Sequence, residues 1–484
     1  MTPVVKRVLI ALIVFGALVR LGMLIHFPNL DSAEAESYSK LNLLLQWDEP
    51  TSLWYPDTNF GPLHMPILWL PYKLTGSLVG ANRFVAWLFS VGLMLPIFFL
   101  VRRVAGDKEA LAAVALLTMA ALPLAVGTIT LAEGPYLFFF FTALMYFARL
   151  IDKAETHRTH VLLLFALFAN AAMAMRFESW MFLPMWPLVI WYMRGFKLAA
   201  AASALLSAFP ILHMTMSYKI VHHPLGFLIQ SAQITAMNSA QVPLDERAVS
   251  WFKTLIAVEG EPMLVAGILG VIVVLAGRKA RLIAGFFLWH FIVVEIQALR
   301  AAMAPELYRY AALMVVLLIP PSAQLVVKIT TATVRKHDLW IPTAVGASLL
   351  LSASTLPYLS RVQTDVDLAN VTYLTADALG EHLTAEDRLF MSNEAHPHLV
   401  VESGLPWKVF HLPMYTDGQI ATPEACKEVF DRVHPTAILV YRHDPTFAET
   451  LGIDACEPTE VFGNTYAPVW EHDPWCLLRR EDVE

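Results

Sequence analysis

Long apolar stretches recur between the N-terminus and residue 358, and they constrain the fold more than any other feature of the chain. A helix that crosses a bilayer needs about 20 predominantly apolar residues. We assign spans near residues 8–26, 81–101, 109–128, 134–151, 160–176, 179–193, 198–218, 262–277, 282–299, 309–327 and 339–358. The sequence therefore predicts a polytopic α-helical membrane protein with about 11 transmembrane helices.

The composition supports the same class. Hydrophobic residues make up 57% of the 484 residues and charged residues 15%, and the mean hydropathy is +0.55. Soluble domains average about 45–50% apolar and about 25% charged residues. The net charge of −7 leaves no basic face for a phosphate backbone, which excludes nucleic acid as a partner. No signal peptide is evident, and we expect the first span to remain as a membrane anchor.

Basic residues predict the orientation, because short cytoplasmic turns are enriched in lysine and arginine. They fall at alternate turns: Lys6, Arg7, Arg102, Arg103, Lys108, Arg149, Lys153, Arg158, Arg194, Lys197, Arg278, Lys279, Arg281, Lys328, Arg335 and Lys336. The loop at 27–80, the turns at 133, 176–178 and 300–308, the segment 219–261 and the tail then lie outside. We predict a multi-pass protein of the cell inner (plasma) membrane, with a cytoplasmic N-terminus and an extracytoplasmic tail.

Two outer segments are expected to lie on the membrane surface rather than to cross it. Residues 67–74 are apolar but short, and Pro66 and Pro71 bracket them. We predict an interfacial helix there, accompanied by tryptophan and tyrosine residues typical of the membrane interface. Segment 224–258 is semi-polar and amphipathic, and we expect it to lie on the outer surface.

The tail has the composition of a soluble domain. We therefore divide the chain into a membrane domain at 1–358 and an extracytoplasmic α/β domain at 359–484. Residues 388–392, 407–412 and 437–441 are predicted strands, residues 394–402 and 423–433 are predicted helices, and a hairpin is expected around 470–478. All three cysteines lie here, in a compartment that permits disulfides. Three pairs are possible; we favour Cys456 with Cys476, which leaves Cys426 free.

Ionisable residues of both signs gather on the predicted outer side, whereas we expect only basic topology signals on the cytoplasmic turns. The outer set is Asp31, Glu34, Glu36, His64, Arg83, Glu133, Arg176, Glu178, Glu306 and Arg309. Structural explanations compete: loop acids are common, Glu133 can favour a helix N-terminus, Arg176 and Glu178 can form a structural ion pair, and Arg309 can anchor at the interface. Charges at the ends of spans are costly, however, and mark functional sites. Their shared side predicts a membrane-embedded site that opens outward.

Such a mixture of acids and bases suits transfer of a group to a hydroxyl. A base takes the proton of the acceptor, while cations hold a phosphate and stabilise the leaving-group charge. The predicted catalytic carboxylates are Glu34, Asp31, Glu36 and Glu133; the predicted donor-phosphate ligands are Arg176, Arg309 and Arg83; the predicted positioning residues are Tyr38, Glu178, His64 and Tyr310. Asp31 and Glu34 offer oxygen ligands suited to Mg²⁺ or Mn²⁺, although the sequence does not require a metal.

Several short motifs occur in a characteristic order. They are Glu34-Ala35-Glu36-Ser37-Tyr38, Gly61-Pro62-Leu63 before a short helix that ends in Gly76, Asn82-Arg83-Phe84, Leu131-Ala132-Glu133-Gly134-Pro135, Met175-Arg176-Phe177-Glu178 and Arg309-Tyr310. This order, over residues 8–330, resembles the GT-C superfamily of membrane glycosyltransferases, in particular the dolichyl-phosphate-mannose–protein mannosyltransferase and aminoarabinose transferase-like group (glycosyltransferase family 39-like). The acidic motif of that family begins Asp-Glu, whereas this chain has Glu34 and Ala35. Either Glu34 or Asp31 is then the base.

The resemblance implies an inverting transferase that uses a polyprenyl-phosphate sugar on the outer side of the membrane. We therefore predict a glycosyltransferase whose partners are that donor, membrane lipid and an acceptor glycan, lipid or protein. A transporter or flippase of lipid-linked sugars is the alternative, although the internal repeat common among transporters is missing from the sequence. A non-catalytic envelope assembly protein is the third hypothesis, under which the loop acids would be dispensable.

Overall fold

The structure is a computed structural model. It describes residues 1–26, 61–76, 78–128, 132–226, 243–277, 281–300, 311–334, 336–361, 366–392, 399–400, 402–416, 419–442, 444–453 and 455–482. These residues form two compact units. The helical unit contains residues 1–26 and 61–361, and the α/β unit contains residues 366–482.

The described part of the helical unit consists almost entirely of helices. In chain order they are α1 (Pro3–His26), α2 (His64–Thr75), α3 (Leu78–Gly92), α4 (Met94–Val104), α5 (Asp107–Met119), α6 (Ala121–Val126), α7 (Glu133–Leu150), α8 (Arg158–Met175), α9 (Met185–Arg194), α10 (Phe196–Leu206), α11 (Ala208–Val221), α12 (Leu244–Arg247), α13 (Ser250–Gly277), α14 (Arg281–Leu299), α15 (Ala312–Thr333) and α16 (Trp340–Ala353). Short 3-10 helices occupy Phe177–Phe182, His337–Leu339 and Leu356–Arg361.

Seven stretches within the described ranges are long and apolar enough to cross a membrane. They are Pro3–Ile25, Gly80–Val104, Arg158–Met175, Phe196–Lys219, Ser250–Gly277, Arg281–Leu299 and Ala312–Thr333. The class of polytopic α-helical membrane protein is confirmed. The number of about 11 spans stays a prediction.

The predicted span at 109–128 consists of two helices, α5 and α6, rather than one. The chain is extended at Ala120 (φ −60°, ψ 131°) between them. Pro123 explains the break. Inside a helix, proline has no N–H to donate to the carbonyl of the residue four positions earlier, here Met119, and its ring clashes with that carbonyl. Helix α5 ends at Met119, and Pro123 lies in the first turn of α6, where proline is tolerated.

Helix α13 begins twelve residues before the predicted start of its span at 262. In residues 250–258, Trp251, Leu255 and Val258 are buried in the bundle while Phe252 and Lys253 are exposed, so this segment is amphipathic as predicted, and its place on the outer surface stays a prediction. The helix is kinked at Gly260, whose backbone (φ 73°, ψ 163°) is one that only glycine adopts readily. The ring of Tyr358 lies against Gly260, so that a Cβ atom there would be 2.4 Å from Tyr358 Cε2.

Helix α5 lies in the centre of the helical unit. Its residues from Ala110 to Thr118 are buried, and the helix packs against α1, α4, α15 and α16. A second packing centre is the Trp186 ring of α9, whose centroid lies 4.4 to 5.2 Å from those of Phe147, Phe165 and Phe286. This cluster joins α7, α8, α9 and α14.

Turns predicted to share the cytoplasmic side do lie together. Arg102 pairs with Asp107 at 2.5 Å, Arg103 with Asp152 at 2.7 Å, and Arg149 with Glu155 at 3.1 Å. The turn after α4 and the turn after α7 therefore meet at one end of the bundle. The expectation that these turns carry only basic residues is wrong, because acidic residues beside the arginines neutralise part of the charge.

The α/β unit contains one main sheet. Its elements are α17 (Val366–His382), β1 (Leu389–Met391), β2 (Phe410–His411), β3 (Tyr415–Thr416), β4 (Gln419–Ile420), α18 (Pro423–Val433), β5 (Ala437–Tyr441), α19 (Pro445–Leu451), β6 (Thr459–Val461), β7 (Asn464–His472) and β8 (Trp475–Arg480), with a 3-10 helix at Trp407–Val409. The six-stranded sheet has the order β2-β1-β5-β8-β7-β6, and β3 pairs with β4 separately. Strands β2, β1 and β5 are parallel, and β5, β8, β7 and β6 are antiparallel neighbours.

Both faces of this sheet are covered, as alternation along the strands requires. Phe390 and Ile438 face a cluster with Phe430 of α18 and Phe447 of α19. Their neighbours in the strands, such as Leu439, face a second cluster that includes residues of α17. The predicted small C-terminal α/β fold is confirmed.

Most local predictions in the tail agree with the structure, but the predicted strand at 407–412 is wrong at its start, because Trp407–Val409 form a 3-10 helix and only Phe410–His411 pair as a strand. The helix at 423–433 is present with the predicted bounds, and its cap Thr422 accepts the Ala425 N–H at 3.0 Å. The expected hairpin is formed by β7 and β8. The disulfide joins Cys456 to Cys476, and Cys426 is free and buried. The predicted helix at 394–402 lies mostly outside the described residues.

We expect Gly260→Ala to destabilise the helical unit, because its backbone conformation costs a residue with a side chain about 1–3 kcal/mol and its methyl group would meet Tyr358. Gly285→Ala in α14 is the control, since no atom lies within 4 Å of a Cβ there. Thermal unfolding of the detergent-purified variants measures the difference. Equal unfolding midpoints for the two variants would contradict the kink described above.

Thiol alkylation tests the cysteine assignments. Under native, non-reducing conditions at neutral pH we expect no label, because burial raises the pKa of the Cys426 thiol to about 11 and the thiolate is the reactive form. Unfolding without reductant should expose one thiol, and reduction should expose all three, as read from the intact mass. Three labels before reduction would exclude the Cys456–Cys476 bond.

Candidate active site

One guanidinium group, that of Arg176, joins two carboxylates at one end of the helical unit. Helix α8 ends at Met175, and Arg176 has an extended backbone (φ −146°, ψ 133°) before the 3-10 helix at Phe177–Phe182. Its Nη1 contacts Glu133 and its Nη2 contacts Glu178, while Nε lies 3.1 Å from both carboxylate oxygens of Glu178. We call Glu133, Arg176 and Glu178 the ion triad.

The ion triad is largely removed from solvent. The side chains of Arg176, Glu133 and Glu178 are 4%, 1% and 18% exposed. The planar fork of arginine suits two-point contacts with a carboxylate, and charges at such depth are stable only when they are paired. Two carboxylates share one guanidinium, so the three groups together carry one excess negative charge.

The chain that leads into α2 is attached directly beside Arg176. The N–H of Gly61 donates to Met175 O at 2.9 Å, and the N–H of Leu63 donates to Ala174 O at 3.1 Å. These carbonyls belong to the last turn of α8, where a helix leaves its acceptors unsatisfied. A Cβ atom on Gly61 would lie 1.8 Å from Ala174 O, so only glycine fits. His64 follows as the buried first residue of α2.

Arg83 lies at the same end of the bundle but in different surroundings. Its neighbour one turn later, Ala86, packs against Gly134, with 3.4 Å between the Ala86 oxygen and a Cβ built on that glycine. Nε and Nη2 of Arg83 are buried and have no hydrogen-bond partner in the described part of the chain. Within the described part of the chain, Arg83 therefore has no carboxylate partner.

The structure brings together part of the predicted site. Glu133, Arg176 and Glu178 are in contact, and Gly61 and Leu63, which precede His64, bond to the two residues before Arg176. Asp31, Glu34, Glu36, Tyr38, Arg309 and Tyr310 lie outside the described residues, so their roles stay predictions. Among the described residues, no group of three or more histidine, cysteine, aspartate or glutamate side chains is arranged to hold a metal ion.

Two buried polar residues that sequence reasoning left unassigned accompany the ion triad. Tyr136 is buried one turn after Glu133 in α7. His290 of α14 stacks on Phe182, with 5.7 Å between ring centroids, and its Nδ1 lies 3.0 Å from Met181 Sδ. The sequence could have indicated His290 because a histidine within an apolar span is uncommon and often functional. It could have indicated Tyr136 because residues three apart in a helix lie on the same face, here that of Glu133.

Comparison with solved structures identifies the fold. ArnT from Cupriavidus metallidurans bound to undecaprenyl phosphate matches with a TM-score of 0.69 and 11% identity, over 97% of each chain. The oligosaccharyltransferase AglB from Archaeoglobus fulgidus, in complex with an inhibitory peptide and a dolichol-phosphate, matches with a TM-score of 0.58 and 10% identity, over 93% of this chain and 71% of that one. No family model and no curated protein sequence matches the chain.

ArnT, an aminoarabinose transferase, and AglB are both glycosyltransferases of the GT-C superfamily. The present chain therefore has the fold of the GT-C membrane glycosyltransferases, with a small C-terminal α/β unit. The fold that the order of the motifs implied is confirmed, and the low identities limit this result to the fold.

We expect Arg176→Met to lower the stability of the protein by about 3–5 kcal/mol, because it removes the cation from two buried carboxylates. Glu178→Gln should cost less, since Glu178 is partly exposed and Arg176 keeps Glu133. Lys427→Met, which breaks an exposed ion pair with Asp431, is the control and should cost about 1 kcal/mol or less. If thermal unfolding of Arg176→Met is no lower than that of Lys427→Met, the ion triad does not stabilise the bundle.

Proposed function

We propose that the protein is a glycosyltransferase that moves a sugar from a polyprenyl-phosphate carrier to an acceptor hydroxyl. The observation that carries this proposal is the fold similarity to undecaprenyl-phosphate-bound ArnT over 97% of both chains. In the present chain, the ion triad lies buried at one end of the helical bundle. Polyprenyl-phosphate sugar is the proposed donor, and a glycan, lipid or protein hydroxyl is the proposed acceptor.

The proposed reaction is a single displacement. The acceptor oxygen forms a bond to the anomeric carbon while the bond from that carbon to the phosphate oxygen breaks, which inverts the configuration. The hydroxyl proton passes to a carboxylate acting as general base, and polyprenyl phosphate leaves with one more negative charge than the phosphodiester had. We propose Asp31 or Glu34 as the base, with Glu36 and Glu133 nearby.

Arg83 is the described cation best suited to the leaving phosphate. Buried donors without partners are costly, and a phosphate oxygen would satisfy them. Arg176, predicted for the same role, is already bound to two carboxylates, so we propose that it mainly orders Glu133 and Glu178. Arg309 remains a proposed second phosphate ligand, and Tyr38, His64 and Tyr310 remain proposed substrate contacts. A divalent cation at Asp31 and Glu34 is optional in this scheme.

We further propose that the transfer occurs on the outer side of the inner membrane, with residues 1–358 as the catalytic domain and 359–484 as an extracytoplasmic domain. Two observations support this orientation. The arginine-rich turns after α4 and α7 lie together at one end of the bundle, and a short basic turn is typical of the cytoplasmic side. The Cys456–Cys476 disulfide suits an oxidising compartment.

Turnover with a panel of radiolabelled undecaprenyl-phosphate sugars tests the proposal, with release of undecaprenyl phosphate as the readout. We expect Arg83→Gln to lower turnover by on the order of a hundredfold, because removal of one preorganised donor to a developing charge costs about that much. Arg281→Gln is the matched control: this exposed arginine lies at the opposite, predicted cytoplasmic end and donates to Leu275 O at 2.8 Å.

Two results would contradict parts of the scheme. Wild-type turnover in an Asp31→Asn, Glu34→Gln double variant would exclude a first-loop base. Failure to release undecaprenyl phosphate from any donor, together with movement of the intact lipid-linked sugar across liposomes, would favour a transporter instead.

A further inference from the structure

The break between α5 and α6 exposes backbone groups in the middle of a membrane bundle. A helix end leaves N–H and C=O groups without internal partners, and lipid offers none in exchange. Non-helical backbone at membrane depth is therefore tolerated only where protein groups satisfy it. Two residues with ionisable side chains from distant parts of the chain, Arg20 and Glu259, do so here, one on each side of Ala120.

Arg20 of α1 satisfies the end of α5. Its side chain is 0% exposed, and it donates from Nη2 to Leu117 O at 3.0 Å and from Nη1 to Thr118 O at 3.1 Å. Its Nε donates to Ser90 Oγ at 2.7 Å. The carboxyl end of a helix carries partial negative charge, so a cation is the favourable residue at this place.

Glu259 of α13 and Thr355 satisfy the start of α6. The Leu122 N–H donates to Glu259 Oε1 at 2.8 Å, and the Ala121 N–H donates to Thr355 Oγ1 at 2.8 Å. Glu259 is 2% exposed and immediately precedes Gly260, so the kink of α13 determines where its carboxylate lies. The first N–H groups of a helix have no internal acceptor, and the carboxyl oxygen of Glu259 supplies one.

Helix α6 connects this arrangement to the ion triad. At its far end, Gly127 packs against Ser90 and Arg20, since a Cβ there would lie 2.3 Å from Ser90 Oγ and 3.0 Å from Arg20 Nε. The last carbonyl of α6, that of Val126, lies against Gly134, at 3.6 Å from a Cβ built there. Gly134 adjoins Glu133, which contacts Arg176. A continuous series of contacts thus runs from Glu259 and Arg20 to Glu133.

We propose that Arg20 and Glu259 are positioning residues for the Glu133 carboxylate, acting through the short helix that they hold at both ends. The expected effect of these two residues on turnover rests on the proposed function, because Glu133 is one of the proposed catalytic carboxylates. Neither residue touches the ion triad; each acts through α6. A displacement of about 1 Å at a catalytic group can lower the rate on the order of a hundredfold. Loss of the contacts of Arg20 or of Glu259 should therefore lower kcat.

The kinetic test compares apolar and conservative variants. We expect Glu259→Leu to lower kcat by about ten- to a hundredfold with little change in KM for the donor, and Glu259→Gln to restore most of kcat because its amide oxygen can accept the same Leu122 N–H. Arg20→Met should resemble Glu259→Leu. Thr330→Val is the control, since it removes a buried hydroxyl that bonds Val326 O and Val327 O in α15. In a Glu133→Gln background, the effect of Glu259→Leu should largely disappear.

Hydrogen–deuterium exchange provides a readout that needs no turnover. In Glu259→Leu we expect faster exchange of the amides in α6 and in residues 133–136, and unchanged exchange in β5 of the α/β unit. Unchanged exchange at 133–136, or an unchanged kcat in a wild-type enzyme that does turn over, would overturn the inference. Absence of turnover in every variant, with the expected exchange pattern, would instead refute the proposed function and leave the coupling established.

Discussion

The need to satisfy every backbone hydrogen bond away from water governs the structure of the helical unit. At two places where a helix stops inside the bundle, groups from elsewhere in the chain complete its end. Arg20, Glu259 and Thr355 do so at the break around Ala120, and Gly61 and Leu63 do so at the end of α8. These ends are the places where irregular backbone is available to carry function, because regular helices have no free donors or acceptors.

Charge is distributed unequally over the two ends of the bundle. At one end, the partly exposed arginines Arg102, Arg103 and Arg149 pair with Asp107, Asp152 and Glu155 in short turns, where ion pairs contribute little. At the other end, Arg176 is buried between Glu133 and Glu178, and Arg83 has unsatisfied buried donors. Burying charged side chains costs free energy unless each charge is paired and hydrogen-bonded. The second end is therefore where we propose that a charged ligand binds, and the first has the properties of a structural cluster.

Much of the fold was predictable because hydropathy and capping act locally. The helix at 423–433 follows from Thr422, Pro423 and its amphipathic pattern, and the strands of the tail follow from short buried runs. The break at Ala120 was missed because the whole segment is apolar, although Pro123 marked it. The start of the span was placed at 262 because the preceding residues are semi-polar, and only the tertiary structure shows that α13 begins at Ser250 and buries Trp251 and Leu255.

The sequence by itself determined the class of protein, the order of the helices, the small α/β tail and the sharing of one side by Glu133, Arg176 and Arg83. These follow from composition, span length and the alternation of turns, which need no knowledge of contacts. Tertiary structure alone decided that Arg176 binds both Glu133 and Glu178, that Gly61 lies on Ala174, and that Arg20 and Glu259 hold α6. Apart from the pair of Arg176 with its near neighbour Glu178, these contacts join residues tens to more than a hundred positions apart, and close packing rather than local pattern determines which of them meet.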